Sequence, residues 1–373
     1  MSRNLTPEPV ATGSAETRIG QLRWREYGGP REAAGDKTLL FVHGLLTNSD
    51  VWGEVVQNLS QDFRCITLDI PLGSHTIPAR EDAALTVAEL AQAVNEAAEQ
   101  LCPHGFTLIG SDTGGVVSQL AAVQEPTGLK RLVLLSCDTE KNFLPLPLRY
   151  LQYVAYIPGT IQALRAALHL GWVRRLPIAF GWLVKRELDA AEWNSIIAPL
   201  KNAGVRRDLA KVLKGISTKY TVQSARDLER FEHPTLFLWA DTTKLFPIEN
   251  ARRLASRMPD AHVVPVSESY AFSQLDQPEF VANALREELA GNPYTPQPCT
   301  EEGGIMTTVF YRGERRDVKS FTPEERKDFL QRNQREINEA KEAIAGMKAR
   351  IAELERIQAM NPIRRWFYKT FHI

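Results

Sequence analysis

The sequence has no net charge, no paired cysteines and no long apolar run. Its 45 Lys and Arg residues balance 45 Asp and Glu residues, which excludes a strongly basic nucleic-acid binder and a strongly acidic solvating protein. No run approaches the roughly 18 apolar residues of a membrane span, and residues 1–17 lack the apolar core of a secretory signal. We therefore expect a cytoplasmic protein, with peripheral contact to a membrane surface as the alternative.

The four cysteines, Cys65, Cys102, Cys137 and Cys299, stand far apart and form no CxxC pair. Isolated cysteines of this kind favour reduced thiols over disulfides or a metal site. The sequence also contains no P-loop and no convincing dinucleotide fingerprint. We therefore expect no metal, no cofactor and no nucleic-acid partner.

Zero net charge conceals an uneven distribution of charge. Residues 306–373 contain 15 Lys and Arg residues and 10 Asp and Glu residues, which leaves 30 and 35 in the rest of the chain. The tail therefore carries +5 and the remainder −5. The segment 291–305 (GNPYTPQPCTEEGGI) has the Pro and Gly content of a linker. The sequence thus predicts a main domain over 19–290 and a helical appendage over 306–373.

A long charged helix is predicted to begin near residue 322. The segment TPEE (322–325) has the pattern of a capping box with Pro at the first helical position. Apolar residues then recur every seven positions: Leu330, Ile337, Ile344 and Ile351. This repeat predicts either a coiled-coil seam or one long helix folded back on the main domain. Self-association, or weak contact with a membrane surface through 322–373, is the role that we expect.

The main domain alternates short apolar segments with helical patterns. Strands are predicted at 19–27, 38–42, 64–68, 106–109, 131–135, 235–239 and 262–266. Helices are predicted at 51–59, 86–101, 114–123, 248–257 and 278–289. This rhythm indicates an α/β fold with a mostly parallel sheet and helices on both faces, interrupted by an insertion at about 140–228. Residues 1–18 are predicted to be disordered.

The strongest local pattern is GSDTGG at 110–115, between a predicted strand and a predicted helix. Gly110 and Gly114 flank Asp112 at −2 and +2, as a nucleophile elbow requires when it holds its central residue in a strained conformation. The turn would present Asp112 over a helix N-terminus, which favours an anion. A phosphate-binding turn, or an Asp that only caps the helix, are the alternatives.

A second pattern, HGLL at 43–46, follows a predicted strand about 70 residues upstream. Together with the elbow, the loop WADTTKLFP at 239–247 and the pair QP at 277–278, it resembles the α/β-hydrolase family over about residues 19–290. Asp rather than Ser at the elbow is similar to the haloalkane dehalogenase and epoxide hydrolase branch. In that branch a carboxylate forms an ester with the substrate, and water activated by His hydrolyses the ester.

The resemblance implies further assignments. The backbone N–H groups of Leu45 and Thr113 would form the oxyanion hole, and the insertion would be a helical lid. Its aromatic residues suggest a small apolar substrate or ligand. The family's acid would fall at Thr243 and its catalytic histidine at Ala271, so both triad positions depart from the pattern. No histidine occurs anywhere from 263 to 371.

Three residues are candidate replacements for the two missing triad members. His75 lies in the loop after the predicted strand 64–68, where a displaced base would be at the active edge of the sheet. His169, in the insertion, is the other candidate base. Asp138 follows the strand 131–135, near the place where related dehalogenases carry an acid, which aligns closer to Ser136. An ordinary loop or packing role is the alternative for each.

Three functions are compatible with these patterns. The first is a hydrolase that acts through Asp112 on a small apolar halide, ester or epoxide. The second is a catalytically degenerate member that binds a ligand or serves as a scaffold. The third is a lyase or isomerase that uses the oxyanion hole of Leu45 and Thr113 without a triad.

Overall fold

The computed structural model describes residues 7–29, 37–291, 308–311 and 314–317, together with Thr322, Glu324, Glu325, Lys327 and Gln331. The chain divides into two compact units, Met1–Pro296 and Gln297–Ile373. The predicted linker at 291–305 lies almost wholly outside the described residues, so its boundaries remain a prediction. No helix among the described residues is long and apolar enough to cross a membrane.

One eight-stranded sheet forms the centre of the first unit. Its strands are β1 (Ala11–Thr17), β2 (Gly20–Tyr27), β3 (Thr38–Val42), β4 (Arg64–Asp69), β5 (Phe106–Ser111), β6 (Leu129–Leu135), β7 (Thr235–Ala240) and β8 (Ala261–Val266). The order across the sheet is β1-β2-β4-β3-β5-β6-β7-β8. The strands β3 to β8 are parallel to one another, whereas β2 is antiparallel to both β1 and β4.

Helices cover both faces of this sheet, as the alternating pattern predicts. They are α1 (Gly53–Leu59), α2 (Val87–Leu101), α3 (Asp112–Ala122), α4 (Tyr150–Val154), α5 (Thr160–Leu168), α6 (Gly171–Arg174), α7 (Ala190–Ile197), α8 (Ala203–Gly215), α9 (Thr218–Leu228), α10 (Ile248–Ala255), α11 (Ser273–Asp276) and α12 (Pro278–Leu289). Every residue of β3, β4, β5 and β7 is buried. Burial on both faces explains why these strands read as continuous apolar runs rather than as alternating ones.

The N-terminal strand β1 corrects the expectation that residues 1–18 are disordered. Ala11–Thr17 pair antiparallel with β2 in a hairpin. The strand buries Ala15 fully and otherwise consists of small and polar residues. Because its order comes from backbone pairing with β2 rather than from an apolar face, the sequence carries no pattern that reveals it.

The sheet order reverses between β4 and β5, on either side of β3. Residues that follow neighbouring parallel strands meet outside the carboxyl edge of the sheet at such a switch point. In the register of β3 and β5, Val42 lies beside Gly110. The loop that begins at His43 and the turn at Asp112 therefore emerge side by side.

Helices α4 to α9 make up the insertion between β6 and β7. Asp189 caps α7 through a capping box with Glu192, and Asn202 and Ser217 cap α8 and α9. Several leucines of the insertion are fully buried and belong to the same apolar core as the sheet: Leu151, Leu168, Leu200, Leu209 and Leu213. Whether the insertion opens as a lid remains a prediction.

The second unit is described only in part. Thr308–Tyr311 (β9) and Glu314–Asp317 (β10) pair antiparallel. The Thr322 amide donates to Glu325 Oε2 (2.9 Å), and the Glu325 amide donates to Thr322 Oγ1 (3.2 Å). These reciprocal bonds form the predicted capping box. The predicted seam from Leu330 to Ile351 lies outside the described residues.

Candidate active site

Asp112 occupies the turn from β5 into α3, and its backbone has a positive φ of 52°. Neighbouring backbone approaches this turn so closely that side chains are excluded. A Cβ on Gly114 would lie 2.1 Å from the carbonyl oxygen of His43, and one on Gly110 would lie 2.3 Å from Ser118 Oγ. The two glycines therefore permit the left-handed conformation that presents Asp112, as the elbow pattern predicts.

The carboxylate of Asp112 accepts hydrogen bonds from the two amides assigned to an oxyanion hole. The Leu45 amide donates to Oδ2 at 2.8 Å, and the Thr113 amide also donates to the carboxylate. Only 5% of Asp112 is exposed. Burial raises its pKa to about 6, against the opposing effect of the bonds from Thr113 and Leu45. Asp112 is thus mainly ionised at pH 7, although its charge is held out of water.

His43 shapes the turn that supplies the Leu45 amide. Its ring is fully buried; Nδ1 lies 2.9 Å from the carbonyl oxygen of Gly44, and Nε2 accepts the Ile70 amide at 3.1 Å. Only the neutral ring with its proton on Nδ1 satisfies both contacts. Burial accordingly lowers the His43 pKa. His43 therefore orients the loop and is not available as a base.

Asp138 lies next to the elbow, on the loop that follows β6. Ser111 pairs with Leu135 in the sheet, and the Asp112 amide donates to the carbonyl of Ser136 at 3.1 Å. Asp138 is 1% exposed, and neither carboxylate oxygen accepts a hydrogen bond of good geometry from the described residues. The structure thus brings Asp138 close enough to Asp112 for their charges to interact.

The Asp138 carboxyl is in a setting that favours its neutral form. Burial and the charge of Asp112 raise its pKa well above the usual value, and the backbone amide of Leu144 opposes this shift only in part. A buried carboxyl without firm donors keeps its proton, because ionisation would leave an unsolvated charge. The surroundings therefore favour the ionised form of Asp112 and the neutral form of Asp138.

Gln119 holds the loop of Asp138, a role that no pattern in the sequence indicates. Its Nε2 donates to the Asp138 carbonyl at 2.9 Å, and its Oε1 accepts Ser224 Oγ at 3.3 Å. A glutamine within a helix is ordinary, so only the packing of α3 against α9 reveals it. Similarly, Gln274 Nε2 donates to Ser111 Oγ at 3.0 Å behind the elbow.

His75 makes contacts that differ from those of a base facing Asp112. Its Nε2 lies 3.2 Å from Asp208 Oδ2, and its Nδ1 accepts the Gly73 amide at 3.4 Å. Asp208 also accepts the Ala79 amide at 2.7 Å. Both ring nitrogens thus have partners in a buried link between the loop after β4 and α8. His169 is exposed at the end of α5. Neither assignment as a base gains support from these contacts.

The two positions that the family pattern gives to the acid and the histidine hold Thr243 and Ala271. Thr243 is buried in the loop after β7, where its Oγ1 accepts the Leu245 amide at 3.4 Å. Asp241, two residues earlier, is exposed and accepts Ser267 Oγ at 2.7 Å. Ala271 is fully buried. The next residue, Phe272, donates its amide to the Leu183 carbonyl at 2.8 Å, which brings the insertion against this loop.

A small apolar cavity of about 30 Å³ lies over Asp112. Leu45, Leu46, Asp112 and Thr113 line it from the sheet side. The insertion supplies the rest of the lining: Leu144, Pro145, Leu148, Tyr150, Leu151, Leu164, Leu168, Ile178, Ala179, Phe180 and Leu183. Among the residues described, no group of three or more His, Cys, Asp or Glu could hold a metal ion. The carboxylate is thus the ionised group of an otherwise apolar chamber.

The chain belongs to the alpha/beta hydrolase fold family, whose sequence profile matches residues 37–278. It is 24% identical over 254 residues to a pimeloyl-[acyl-carrier protein] methyl ester esterase of Vibrio cholerae, covering 66% of this chain and 89% of that protein. It is 24% identical over 260 residues to an uncharacterized hydrolase of Bacillus subtilis, covering 68% and 90%.

Solved structures show the same fold. A carboxylesterase from Bacillus subtilis matches with a TM-score of 0.62 and 18% identity, covering 77% of this chain and 94% of that one. A haloalkane dehalogenase loop variant from Bradyrhizobium elkanii matches with a TM-score of 0.62 and 16% identity, covering 76% and 97%. The predicted fold class is thereby confirmed, and the relatives are hydrolases and esterases.

Proposed function

We propose that this protein is a hydrolase that forms a covalent ester through Asp112 and acts on a small apolar ester or epoxide. The observation that carries the proposal is the Asp112 carboxylate itself. It is held in the elbow by the amides of Leu45 and Thr113, directly beneath an apolar cavity. The hydrolase and esterase relatives support the same reaction class.

In the first step, a carboxylate oxygen of Asp112 attacks an sp³ carbon of the substrate, which is an epoxide carbon or the alkyl carbon of an ester. An alkyl ester of Asp112 forms, and the bond from that carbon to its leaving oxygen breaks. The leaving oxygen takes the electron pair and then the proton of Asp138. Because a halide needs no such proton, the protonated Asp138 favours an oxygen leaving group over a halide. The amides of Leu45 and Thr113 remain bound to the oxygen that becomes the ester carbonyl.

In the second step, water adds to the ester carbon of Asp112 and the bond to the substrate oxygen breaks. Asp138, now a carboxylate, accepts one proton of the water and returns to its neutral form. The second proton of the water passes to the leaving alkoxide, so the product leaves as an alcohol and Asp112 is restored as a carboxylate. Loss of the Asp112 charge in the ester removes one cause of the raised Asp138 pKa. The Leu45 and Thr113 amides stabilise the oxyanion that forms on Asp112.

A ligand-binding role without catalysis is the second candidate. Thr243 and Ala271 occupy the places of an acid and a histidine, and the cavity is only about 30 Å³. A lyase or isomerase is less favoured than either. Its substrate oxyanion would need the Leu45 and Thr113 amides, which donate to Asp112 instead.

The test is to incubate the full chain with epoxides, activated esters and alkyl halides and to measure intact mass and product. We expect a transient adduct and turnover with an ester or epoxide, and loss of both in Asp112→Asn. Turnover of an epoxide in ¹⁸O-labelled water would also place ¹⁸O in the peptide that contains Asp112. Asp241→Asn is the matched control, because this carboxylate is exposed and outside the cavity lining.

Asp138→Asn tests the proton transfer. It should slow both steps by on the order of 10²–10⁴. A stable adduct without turnover in the unmodified protein would favour the ligand-binding candidate. If no substrate gives an adduct or a product, Asp112 is not a nucleophile and the proposal is wrong.

A further inference from the structure

The large apolar side chains that are exposed cluster in one segment of the insertion. Of the seven such side chains among the described residues, six lie between Leu146 and Trp172: Leu146, Tyr153, Tyr156, Ile157, Leu170 and Trp172. The exposed fraction is 63% for both Tyr156 and Trp172. Single exposed apolar residues are common on proteins, but a concentration of this kind marks an interaction surface. We refer to residues 146–172 as the aromatic segment.

The aromatic segment is apolar on its inner side as well. Leu151 of α4 and Leu168 of α5 are buried, and both line the cavity over Asp112. Helices on the surface of a globular protein normally turn a polar face to water. Here Tyr153 of α4 points outward, and Leu170 and Trp172 follow at the end of α5. The outer surface of the aromatic segment therefore resembles a surface that contacts an apolar partner.

The sequence of this segment and its flanks carries charge of one sign. No Asp or Glu occurs between Glu140 and Glu187, whereas seven Lys and Arg residues do: Lys141, Arg149, Arg165, Arg174, Arg175, Lys185 and Arg186. Three of these cations pair with carboxylates: Arg175 with Glu187, Lys185 with Glu268, and Arg186 with Glu54 and Glu192. Arg149 is exposed and makes only a backbone contact, to the Leu144 carbonyl at 3.4 Å.

We propose that the aromatic segment docks the protein onto an anionic lipid bilayer. Trp and Tyr beside unpaired Arg are the combination that suits the boundary between acyl chains and negatively charged headgroups. The outward residues lie on the short helices α4 to α6 and the turns between them. Side chains on such a surface can insert into a bilayer, and the protein does not need a deep groove to bind it. The charge complementarity with anionic headgroups decides the occupant, because an apolar protein partner would leave the cations unused. This surface differs from the tail at 322–373 and does not depend on the proposed reaction.

The test is binding of the full chain to sedimenting vesicles of phosphatidylcholine with and without phosphatidylglycerol. We expect binding only to the anionic vesicles, weakened by added salt. The double variant Tyr156→Ser, Trp172→Ser should bind at least tenfold more weakly. Val10→Ser is the matched control, because Val10 is 66% exposed but outside the segment. Removing a charge with Arg149→Gln should weaken binding about fivefold, whereas Lys130→Gln, exposed on β6, should not.

Three outcomes would overturn the proposal. The protein shows no preference for anionic vesicles, or the double variant binds as well as the unmodified chain, which would assign binding to the tail. The third outcome is self-association through this segment. In that case the unmodified chain does not bind vesicles, and its sedimentation mass is larger than that of the double variant. Circular dichroism of each variant verifies that the fold is retained, which these exposed positions favour.

Discussion

Asp112 combines three features that rarely occur together in a residue with only a structural role. Its backbone is left-handed, the residue is 5% exposed, and its carboxylate accepts hydrogen bonds from two main-chain amides. Each of the first two costs free energy of folding, since φ is strained and the charge is desolvated. Strain and a perturbed pKa at one residue indicate a functional site. A simple helix cap would need neither.

Replacing Asp112 by Asn should stabilise the protein at neutral pH. The folded-state pKa of about 6 lies above the ordinary value of 3.8 for an aspartate, so between these values the folded chain binds more protons than the unfolded chain. Stability of the unmodified protein therefore falls as pH rises from about 4 to about 6. The shift corresponds to about 3 kcal/mol at pH 7, and Asn removes this cost while it still accepts an amide hydrogen bond.

The measurement is urea denaturation of both proteins between pH 4 and pH 8. The difference in unfolding free energy should grow with pH and level off above about pH 7. Asp241→Asn, at an exposed site, should show no such trend. If the difference in unfolding free energy between the two proteins does not change with pH, Asp112 has an ordinary pKa.

At the scale of elements, the candidate site depends on the contact between the loop after β3 and the start of α3. Gly114 in α3 touches the His43 carbonyl region so closely that a methyl group has no room. That contact positions the Leu45 amide 2.8 Å from Asp112. The small residues of the elbow are thus required because two backbone segments approach each other closely.

Gly114→Ala should destabilise the protein and separate the two elements. A Cβ at 2.1 Å from a backbone oxygen forces a shift, and overpacking of this kind costs about 1–3 kcal/mol. Gly171→Ala in α6 is the matched control, because nothing lies within 4 Å of its Cβ position. This change should be neutral or stabilising by up to about 1 kcal/mol. Urea denaturation midpoints of the two variants provide the comparison; equal midpoints would contradict the close contact.

The link between His75 and Asp208 acts at the same scale. Both side chains are at most 1% exposed, and they join the loop after β4 to α8 of the insertion. Burial raises the pKa of Asp208. Hydrogen bonds from His75, Ala79 and Arg207 lower this pKa by more than burial raises it, so the net shift is downward. A buried carboxylate with this many donors is a structural anchor. His75 therefore has a physical reason to be histidine that is unrelated to catalysis.

At the scale of the whole molecule, the chain consists of two units with opposite net charge. The tail carries +5, and its helix begins at a capping box formed by Thr322 and Glu325. The heptad repeat of Leu330, Ile337, Ile344 and Ile351 predicts self-association through a coiled coil. A single helix folded back on the main domain would use the same apolar residues without changing the oligomeric state.

Truncation after Gly304 should reduce the oligomeric size. We expect the full chain to sediment as an oligomer and the truncated chain as a monomer, because the seam is removed. The double variant Ile337→Asn, Ile344→Asn should behave like the truncated chain. If the full chain is also monomeric over the micromolar range, the repeat belongs to a helix that packs on its own chain.

Local patterns in the sequence determined where the elbow falls and where most strands and helices of residues 19–290 lie outside the insertion, whose helices α4 to α9 were not predicted. Apolar runs, helical periodicity and the glycines around Asp112 are properties of neighbouring residues, so they can be read without the fold.

Only the tertiary structure decided which distant groups share an environment. The pairing of His75 with Asp208 joins the loop after β4 to a helix of the insertion, and packing leaves both carboxylate oxygens of Asp138 without a hydrogen bond of good geometry from the described residues. The raised pKa of Asp112 arises from burial beneath an insertion that follows it in the chain. Desolvation and pairing depend on all the groups that surround a residue, and packing determines those groups.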